Sequence, residues 1–169
     1  MTEFIQSFTS LPNLHPAIVH FPIALLVTAV AIDLIAILRP QRVWIDRMAA
    51  TLYVLGGIAA LVAYLTGDQA SDAVIPATAV QVLPKIAIHS HWAGYTLWIF
   101  GTLAVVRLGW AWWRRHDTAM RHMAIRIAFW LVGVGGLFVL AKTADLGGRL
   151  VFWYQVGSEA QHHQPSSGK

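Results

Sequence analysis

The chain has 169 residues, of which 57% are hydrophobic and only 12% are charged. Soluble domains carry about 25% charged residues, so this composition excludes a disordered chain, argues against a soluble enzyme and indicates one integral membrane domain. Twelve lysines and arginines against eight acidic residues give a net charge of +4. Because the arginines lie in short blocks beside apolar runs, we expect them to set membrane topology and not to bind nucleic acid.

The chain contains no cysteine and eight histidines. The absence of cysteine excludes disulfides, thiolate metal sites, iron–sulfur clusters and covalently attached c-type haem. Any redox or metal chemistry must therefore use histidine, carboxylate or a bound cofactor.

Four apolar stretches are each close to the roughly 20 residues that a helix needs to cross a bilayer. They cover residues 16–38, 48–66, 86–113 and 123–146. We predict an all-α fold, an integral membrane four-helix bundle, that forms a single domain over residues 1–157 and is followed by a polar tail, 158–169. No internal repeat is evident in the sequence.

Arginines mark two of the three connections between the spans, and the connection between the second and third spans carries only a lysine, Lys85. Because basic residues concentrate in cytoplasmic loops, we expect both termini and the middle loop on the outer side. After the fourth span, residues 150–156 are apolar but too few to cross a bilayer. We interpret them as a short interfacial segment on the outer face.

Four histidines lie at the predicted outer ends of two spans: His15 and His20 begin the first, and His89 and His91 begin the third. Ionisable groups at membrane depth are costly, so they usually have a functional or pairing role. From the rise of a helix, His20 lies about 6 Å and His91 about 9–10 Å inside their helices. We therefore expect these two side chains to face each other at a similar level.

Helical phase favours the same pair, because His20 and His91 both share their helix faces mainly with small residues, which form a groove that admits a flat macrocycle. We predict that His20 and His91 ligate one haem b, which neutral imidazoles from two facing helices can hold. A shift of two residues in the third span would exchange His91 for His89 as the partner of His20. His15 and His89 are the fallback ligands. The alternative is that these histidines only form interfacial hydrogen bonds.

Three further polar residues lie near the same outer end. Lys142 and Arg149 are candidate partners for haem propionates, although Lys142 can also pair with Asp145 one turn away. Asp68 follows a glycine at the end of the second span, where it could transfer a proton, ligate a metal or simply end the helix.

At the opposite end of the first span, Asp33 lies at a level that Arg107 or Arg126 can reach. An unpaired buried carboxylate is costly. We therefore predict that Asp33 forms a structural ion pair with one of these arginines.

The run LHPAIVHFPIALL, from Leu14 to Leu26, resembles the opening motif of a family of small predicted bacterial membrane proteins that is catalogued as a domain of unknown function. Its members look like four-span proteins with a glycine–aspartate after span two, here Gly67-Asp68, and a histidine near the start of span three. The element Gly147-Gly148-Arg149-Leu150-Val151-Phe152 is similar to their GGxLVY-like element. The resemblance covers almost the whole chain.

This family is distantly similar to four-helix b-type cytochromes, and its members often occur beside cytochrome c or Rieske-type domains. The resemblance therefore implies a multi-pass protein of the bacterial inner membrane that takes part in respiratory electron transfer, with cytochrome c or a quinol-linked complex as partner. The chain departs from the di-haem pattern because no histidine pair occupies the predicted cytoplasmic half.

Three functions remain open from the sequence. The first is a membrane b-type cytochrome-like subunit with one haem. The second is a non-haem copper or zinc site, since imidazole suits both metals. Its ligands would come from His15, His20, His89, His91 and Asp68. The third is a cofactor-free structural subunit of a respiratory assembly. An independent enzyme is not indicated, because the sequence shows no nucleophile–base motif, phosphate-binding glycine loop or HExxH pattern.

Overall fold

The computed structural model describes residues 14–113 and 123–157, and these residues form an all-α bundle of four helices. The helices are α1 (His15–Leu38), α2 (Val43–Val74), α3 (Leu83–Trp113) and α4 (Met123–Phe152). A single turn residue, Val19, separates the first turn of α1 from its long part. The predicted all-α four-helix bundle is confirmed, and the predicted tail, 158–169, lies outside the described residues.

Three of the described helices, α1, α2 and α4, are long and apolar enough to cross a membrane. Helix α3 is not among them: it has 31 residues, but Lys85, His89, His91 and Arg107 lower its mean hydropathy. The chain is thus a membrane protein with three candidate spans, and the crossing of α3 stays a prediction.

Helices α2 and α4 extend furthest beyond the predicted spans. Helix α2 continues through the polar residues Asp68 and Asp72 to Val74. The predicted span ends earlier because it counts only the apolar stretch, whereas a helix can project past the apolar part of a bilayer. Helix α4 continues to Phe152, so the predicted interfacial segment is helical in its first part. Its second part is a turn in which the amides of Trp153 and Tyr154 donate to the carbonyl of Arg149.

Consecutive helices pack antiparallel, and α4 also packs against α1, which closes the bundle. Helix α1 therefore lies diagonally opposite α3, and α2 lies diagonally opposite α4. We call the end that holds His15 and His89 the histidine end, and the end that holds Arg107 and Arg126 the arginine end.

Each helix directs one face inward, and the inward positions alternate in spacing between three and four residues. This spacing is typical of left-handed helical bundles. The stripe in α1 contains Pro22, Leu26, Ala29, Asp33 and Ala36. The stripe in α3 contains Thr96, Phe100, Leu103 and Arg107. The stripe in α2 contains Ala49, Tyr53, Gly56, Ala60 and Ala63, and that in α4 contains Arg126, Gly133, Gly136 and Leu140. One heptad before Pro22 is His15, and one heptad before Thr96 is His89.

Glycine on the inward stripes permits close approach between helices, as is common in membrane proteins. A Cβ atom built on Gly56 would lie 2.5 Å from Leu26 Cδ2, and one on Gly136 would lie 2.8 Å from Phe100 Cζ. Both distances are below van der Waals contact, so these glycines set the spacing of α1 to α2 and of α3 to α4.

Replacing Gly136 with alanine should destabilise the bundle by about 1–3 kcal/mol, because the added methyl group overpacks against Phe100 and Ile99. Gly135 is the matched control: a Cβ there has no neighbour within 4 Å, so alanine should be neutral or slightly stabilising through its better helix propensity. Thermal unfolding in detergent measures both. Equal unfolding temperatures for the two variants would contradict the close packing of α3 and α4.

Candidate functional site

His15 lies at the start of α1 and its side chain reaches toward α2. Its Nδ1 is 3.3 Å from Thr66 Oγ1, and the ring also hydrogen-bonds to the backbone of Ala63. The ring packs directly on Gly67, where a Cβ would be only 2.8 Å from His15 Cε1. Helix α2 thus holds this imidazole through hydrogen bonds and through close packing on Gly67, where a larger residue would clash with the ring.

His89 repeats this arrangement between α3 and α4. Its Nδ1 is 3.2 Å from the carbonyl oxygen of Thr143, and the ring lies on Gly147, where a Cβ would be 3.0 Å from His89 Cε1. Because a carbonyl only accepts hydrogen bonds, Nδ1 carries the proton and Nε2 carries the lone pair. Such a bond fixes the tautomer of many metal-ligating histidines.

The two imidazoles lie at the same end of the bundle on diagonally opposite helices. A part-buried hydroxyl pair lies beside His89: Thr96, one heptad further along α3, and Thr143 have their Oγ1 atoms 2.9 Å apart. The group formed by His15, His89, Gly67 and Gly147 is called the histidine site below.

His20 and His91, the first-choice ligands, are both exposed on the surface of the bundle. The expectation that they face each other from a common groove is therefore wrong. Each lies two residues, or about 200°, away from an inward position: His20 precedes Pro22, and His91 follows His89. Small residues such as Ala24 that share the face of His20 are exposed as well. Whether any histidine ligates a cofactor stays a prediction.

Asp68 does not join the histidines, because its side chain is exposed. The described part of the chain contains no group of three or more histidine, cysteine or acidic side chains that could hold a metal ion. The structure therefore brings together two imidazoles and does not assemble the larger set that a copper or zinc site would use.

Lys142 and Arg149 both pair with Asp145 on the surface of α4. Lys142 Nζ is 3.7 Å from Asp145 Oδ2, and Arg149 Nε is 3.1 Å from Asp145 Oδ1. The predicted alternative for Lys142 is thus confirmed. All three side chains are about half exposed, so these pairs contribute roughly 0–1 kcal/mol each. A role toward haem propionates would require both basic groups to leave Asp145.

The arginine end holds a charge cluster to which each helix contributes one residue. Arg107 Nη2 donates to Asp33 Oδ1 at 2.7 Å, and Arg107 Nη1 lies 3.4 Å from Asp46 Oδ1. Arg126 Nη2 donates to the same oxygen of Asp46 at 3.2 Å. The predicted pair of Asp33 with Arg107 is confirmed, whereas Arg126 pairs with Asp46. These four residues are called the charge cluster below.

Three members of the charge cluster are almost completely buried, with exposed fractions of 0% for Asp33 and 1% for Arg107 and Arg126. The Tyr53 hydroxyl donates to Asp33 Oδ2 at 3.4 Å, and Arg126 also donates to the carbonyl of Ala36. Two carboxylates and two guanidinium groups make the cluster neutral, which limits the cost of burying it.

Thr66 and Thr143, which hydrogen-bond to the imidazoles, are not singled out by the sequence analysis. Gly67 and Gly147 appear there only as parts of the family's motifs and not as contacts of the imidazoles. The alternating three–four spacing is the signal that finds the glycines, because Gly67 and Gly147 each lie in phase with the buried residues of their helix. The other four histidines, His116, His122, His162 and His163, lie outside the described residues.

The chain matches the family model described as "Predicted membrane protein (DUF2231)" over residues 11–160. No curated protein and no solved structure matches it. Since the model covers most of the sequence, and since the fold is a bundle of long apolar helices, the chain belongs to this predicted membrane protein family, DUF2231.

Proposed function

We propose that the protein is a membrane b-type cytochrome-like subunit of a respiratory electron-transfer assembly, and that His15 and His89 ligate one haem b between α1 and α3. The observation that carries the proposal is the pair of inward imidazoles on diagonally opposite helices. Two neutral imidazoles are an axial ligand set that haem b can use without any cysteine.

The residues around the two imidazoles fit such a group. Each ring is oriented by a hydrogen bond at Nδ1, as ligating histidines usually are. Each ring also packs directly on a glycine, Gly67 or Gly147, so each imidazole occupies space that a larger side chain would fill, and this contact helps to fix the position of the ring. When bound, haem would supply one-electron redox chemistry; the chain itself would ligate the iron, orient the ligands and exclude water.

The main alternative is a copper or zinc protein without haem. It is the weaker proposal, because transition-metal sites of this kind use three or four protein ligands and the described residues contain no such group. The cofactor-free structural subunit has no feature of its own that favours it.

A reduced-minus-oxidised visible spectrum of the purified protein, together with metal analysis, tests the proposal. We expect a Soret band with sharp α and β bands on reduction and about one iron per chain, since residues 14–113 and 123–157 hold one inward histidine pair. Copper or zinc without these bands would contradict the haem proposal and support a non-haem metal site. Protein that contains neither haem nor metal would support the cofactor-free structural subunit.

Partners and location follow from the same proposal. A haem close to one end of the bundle would exchange electrons with a cytochrome c or a quinol-linked complex at that membrane surface, and the apolar helices would lie in the lipid bilayer of a bacterial inner membrane. The histidine end would face outward, because the described arginines in the first connection, Arg39 and Arg42, lie at the other end.

A topology map tests this orientation in a chain that has no native cysteine. Gln41 and Gln81 are exposed residues at opposite ends of the bundle and form a matched pair. In intact cells a membrane-impermeant maleimide should label Q81C, whereas Q41C should react only after the membrane is opened. The reverse pattern would invert the orientation, and labelling of both from one side would mean that α2 does not cross.

A further inference from the structure

The two halves of the bundle share one register. The separation of His15 from Asp33 along α1 equals the separation of His89 from Arg107 along α3. In each of these helices the histidine stands at one end of the inward stripe and the charged residue at the other. From the rise per residue of a helix, each pair spans about 27 Å of bundle.

The second helix of each half repeats in the same way. The separation of Asp46 from Gly67 along α2 equals the separation of Arg126 from Gly147 along α4. The charged residue of each helix again lies in the charge cluster, and the glycine lies in the histidine site.

Equivalent positions also make equivalent contacts. Within α1–α2, His15 packs on Gly67 and Leu26 packs on Gly56; within α3–α4, His89 packs on Gly147 and Phe100 packs on Gly136. Equivalent positions form four pairs: His15 with His89, Leu26 with Phe100, Gly56 with Gly136, and Gly67 with Gly147.

The hydrogen bonds of the imidazoles follow the same rule. His15 bonds to the backbone of Ala63, and His89 bonds to the backbone of Thr143. Ala63 lies one helical turn before Gly67, just as Thr143 lies one helical turn before Gly147. Three kinds of contact therefore occur at equivalent positions in the α1–α2 hairpin and the α3–α4 hairpin. They are the packing of an imidazole on a glycine, the packing of a large apolar side chain on a glycine, and the hydrogen bond of the imidazole to the backbone.

The charges break the symmetry. The α1–α2 hairpin contributes two acidic residues to the charge cluster, and the α3–α4 hairpin contributes two arginines at the equivalent positions. Both ion pairs, Asp33 with Arg107 and Asp46 with Arg126, join equivalent residues across the bundle. Two identical hairpins would instead bring like charges together in a buried layer, which is strongly unfavourable.

We infer that the bundle consists of two equivalent helical hairpins docked about a pseudo-twofold axis along the bundle, each contributing one histidine to the histidine site. We further infer that the inverted charges make each hairpin the partner of the other and not of a second copy of itself. Parallel repeats of this kind, related by an axis along the membrane normal, occur in other membrane proteins.

The test uses the full chain in membranes and needs no cofactor, so its outcome is independent of the haem proposal. A protease site is inserted in the α2–α3 connection, residues 75–82, and cysteines replace either His15 and His89 or His20 and His91. After treatment with a short bis-maleimide and cleavage, a cross-link holds the two hairpins together on a denaturing gel. We expect H15C/H89C to cross-link and H20C/H91C to remain separable.

The charge cluster is then changed in the H15C/H89C background. R107D alone makes the two hairpins alike in charge on α1 and α3, and it should reduce the cross-link yield roughly tenfold, since a buried like-charge contact opposes docking. The double exchange D33R/R107D restores opposite charges and should recover most of the yield.

Two results would overturn the inference. Equal cross-linking of H15C/H89C and H20C/H91C would show that the two inward histidines do not occupy equivalent positions on the bundle axis. A double exchange that cross-links no better than R107D alone, while the protein remains inserted in the membrane, would show that charge inversion does not direct the pairing of the hairpins.

Discussion

Replacing Arg107 with alanine should lower the free energy of unfolding by about 3–5 kcal/mol, because breaking a buried ion pair leaves an uncompensated charge. The carboxylate left behind, Asp33, is completely buried. Its remaining hydrogen-bond partner among the described residues is the Tyr53 hydroxyl at 3.4 Å, which is too long for a strong hydrogen bond. Thermal unfolding of the purified protein in detergent measures the loss.

Arg149 provides the matched control, since it is also an arginine paired with an aspartate on the described part of the chain. Its partner Asp145 lies on the same helix, and the side chain of Arg149 is 54% exposed. Arg149→Ala should therefore change stability by less than about 1 kcal/mol. If Arg107→Ala and Arg149→Ala unfold alike, the charge cluster does not stabilise the bundle.

Replacing either inward histidine with alanine should remove most of the haem that we propose these residues bind. We expect His15→Ala and His89→Ala each to reduce haem content at least about tenfold. Mutating a residue that only hydrogen-bonds to a metal ligand already weakens metal binding roughly 10–100-fold, and these variants remove the ligand itself. Any residual haem should lose its six-coordinate low-spin spectrum. The ratio of haem absorbance to protein, measured after identical purification, reports the effect.

His20→Ala and His91→Ala are the controls, because these exposed histidines stand on the same two helices close to the inward pair. Both variants should retain the wild-type spectrum. The opposite result, loss of haem in His20→Ala or His91→Ala with retention in His15→Ala and His89→Ala, would restore the first-choice pair and refute the assignment.

Composition and the length of the apolar stretches are enough to predict the membrane class and the helical fold. The level of Asp33 in its span is enough to predict its ion pair. These features depend on large, local terms: apolar length for a span, and the high cost of an unpaired charge at membrane depth. The pairing of Arg126 with Asp46 is not predicted, because Asp46 lies in a connection whose inclusion in α2 depends on where that helix begins.

The prediction of His20 and His91 as the inward pair is wrong for a specific physical reason. It rests on the small neighbours of these histidines and on the assumption that small residues line a groove. In a membrane bundle small residues also face lipid, where they cost little, so the size of a residue alone does not identify the inward face. Buried polar residues do: Asp33 is in phase with His15, and Arg107 is in phase with His89.

The internal repeat is not visible in the sequence because little identity remains between the hairpins. Gly56 and Gly67 recur as Gly136 and Gly147, but at the equivalent positions of the charge cluster the residues have opposite charge. A comparison of residue types therefore scores these sites as mismatches, although the contacts they make across the bundle are equivalent.

The most direct measurement is the axial ligation of the iron in the oxidised wild-type protein, read by near-infrared magnetic circular dichroism and electron paramagnetic resonance. Two histidines at equivalent positions on diagonally opposite helices predict bis-imidazole, low-spin iron in a single population. A ligand other than imidazole on either side of the iron, or a protein that binds no haem at all, would contradict the account.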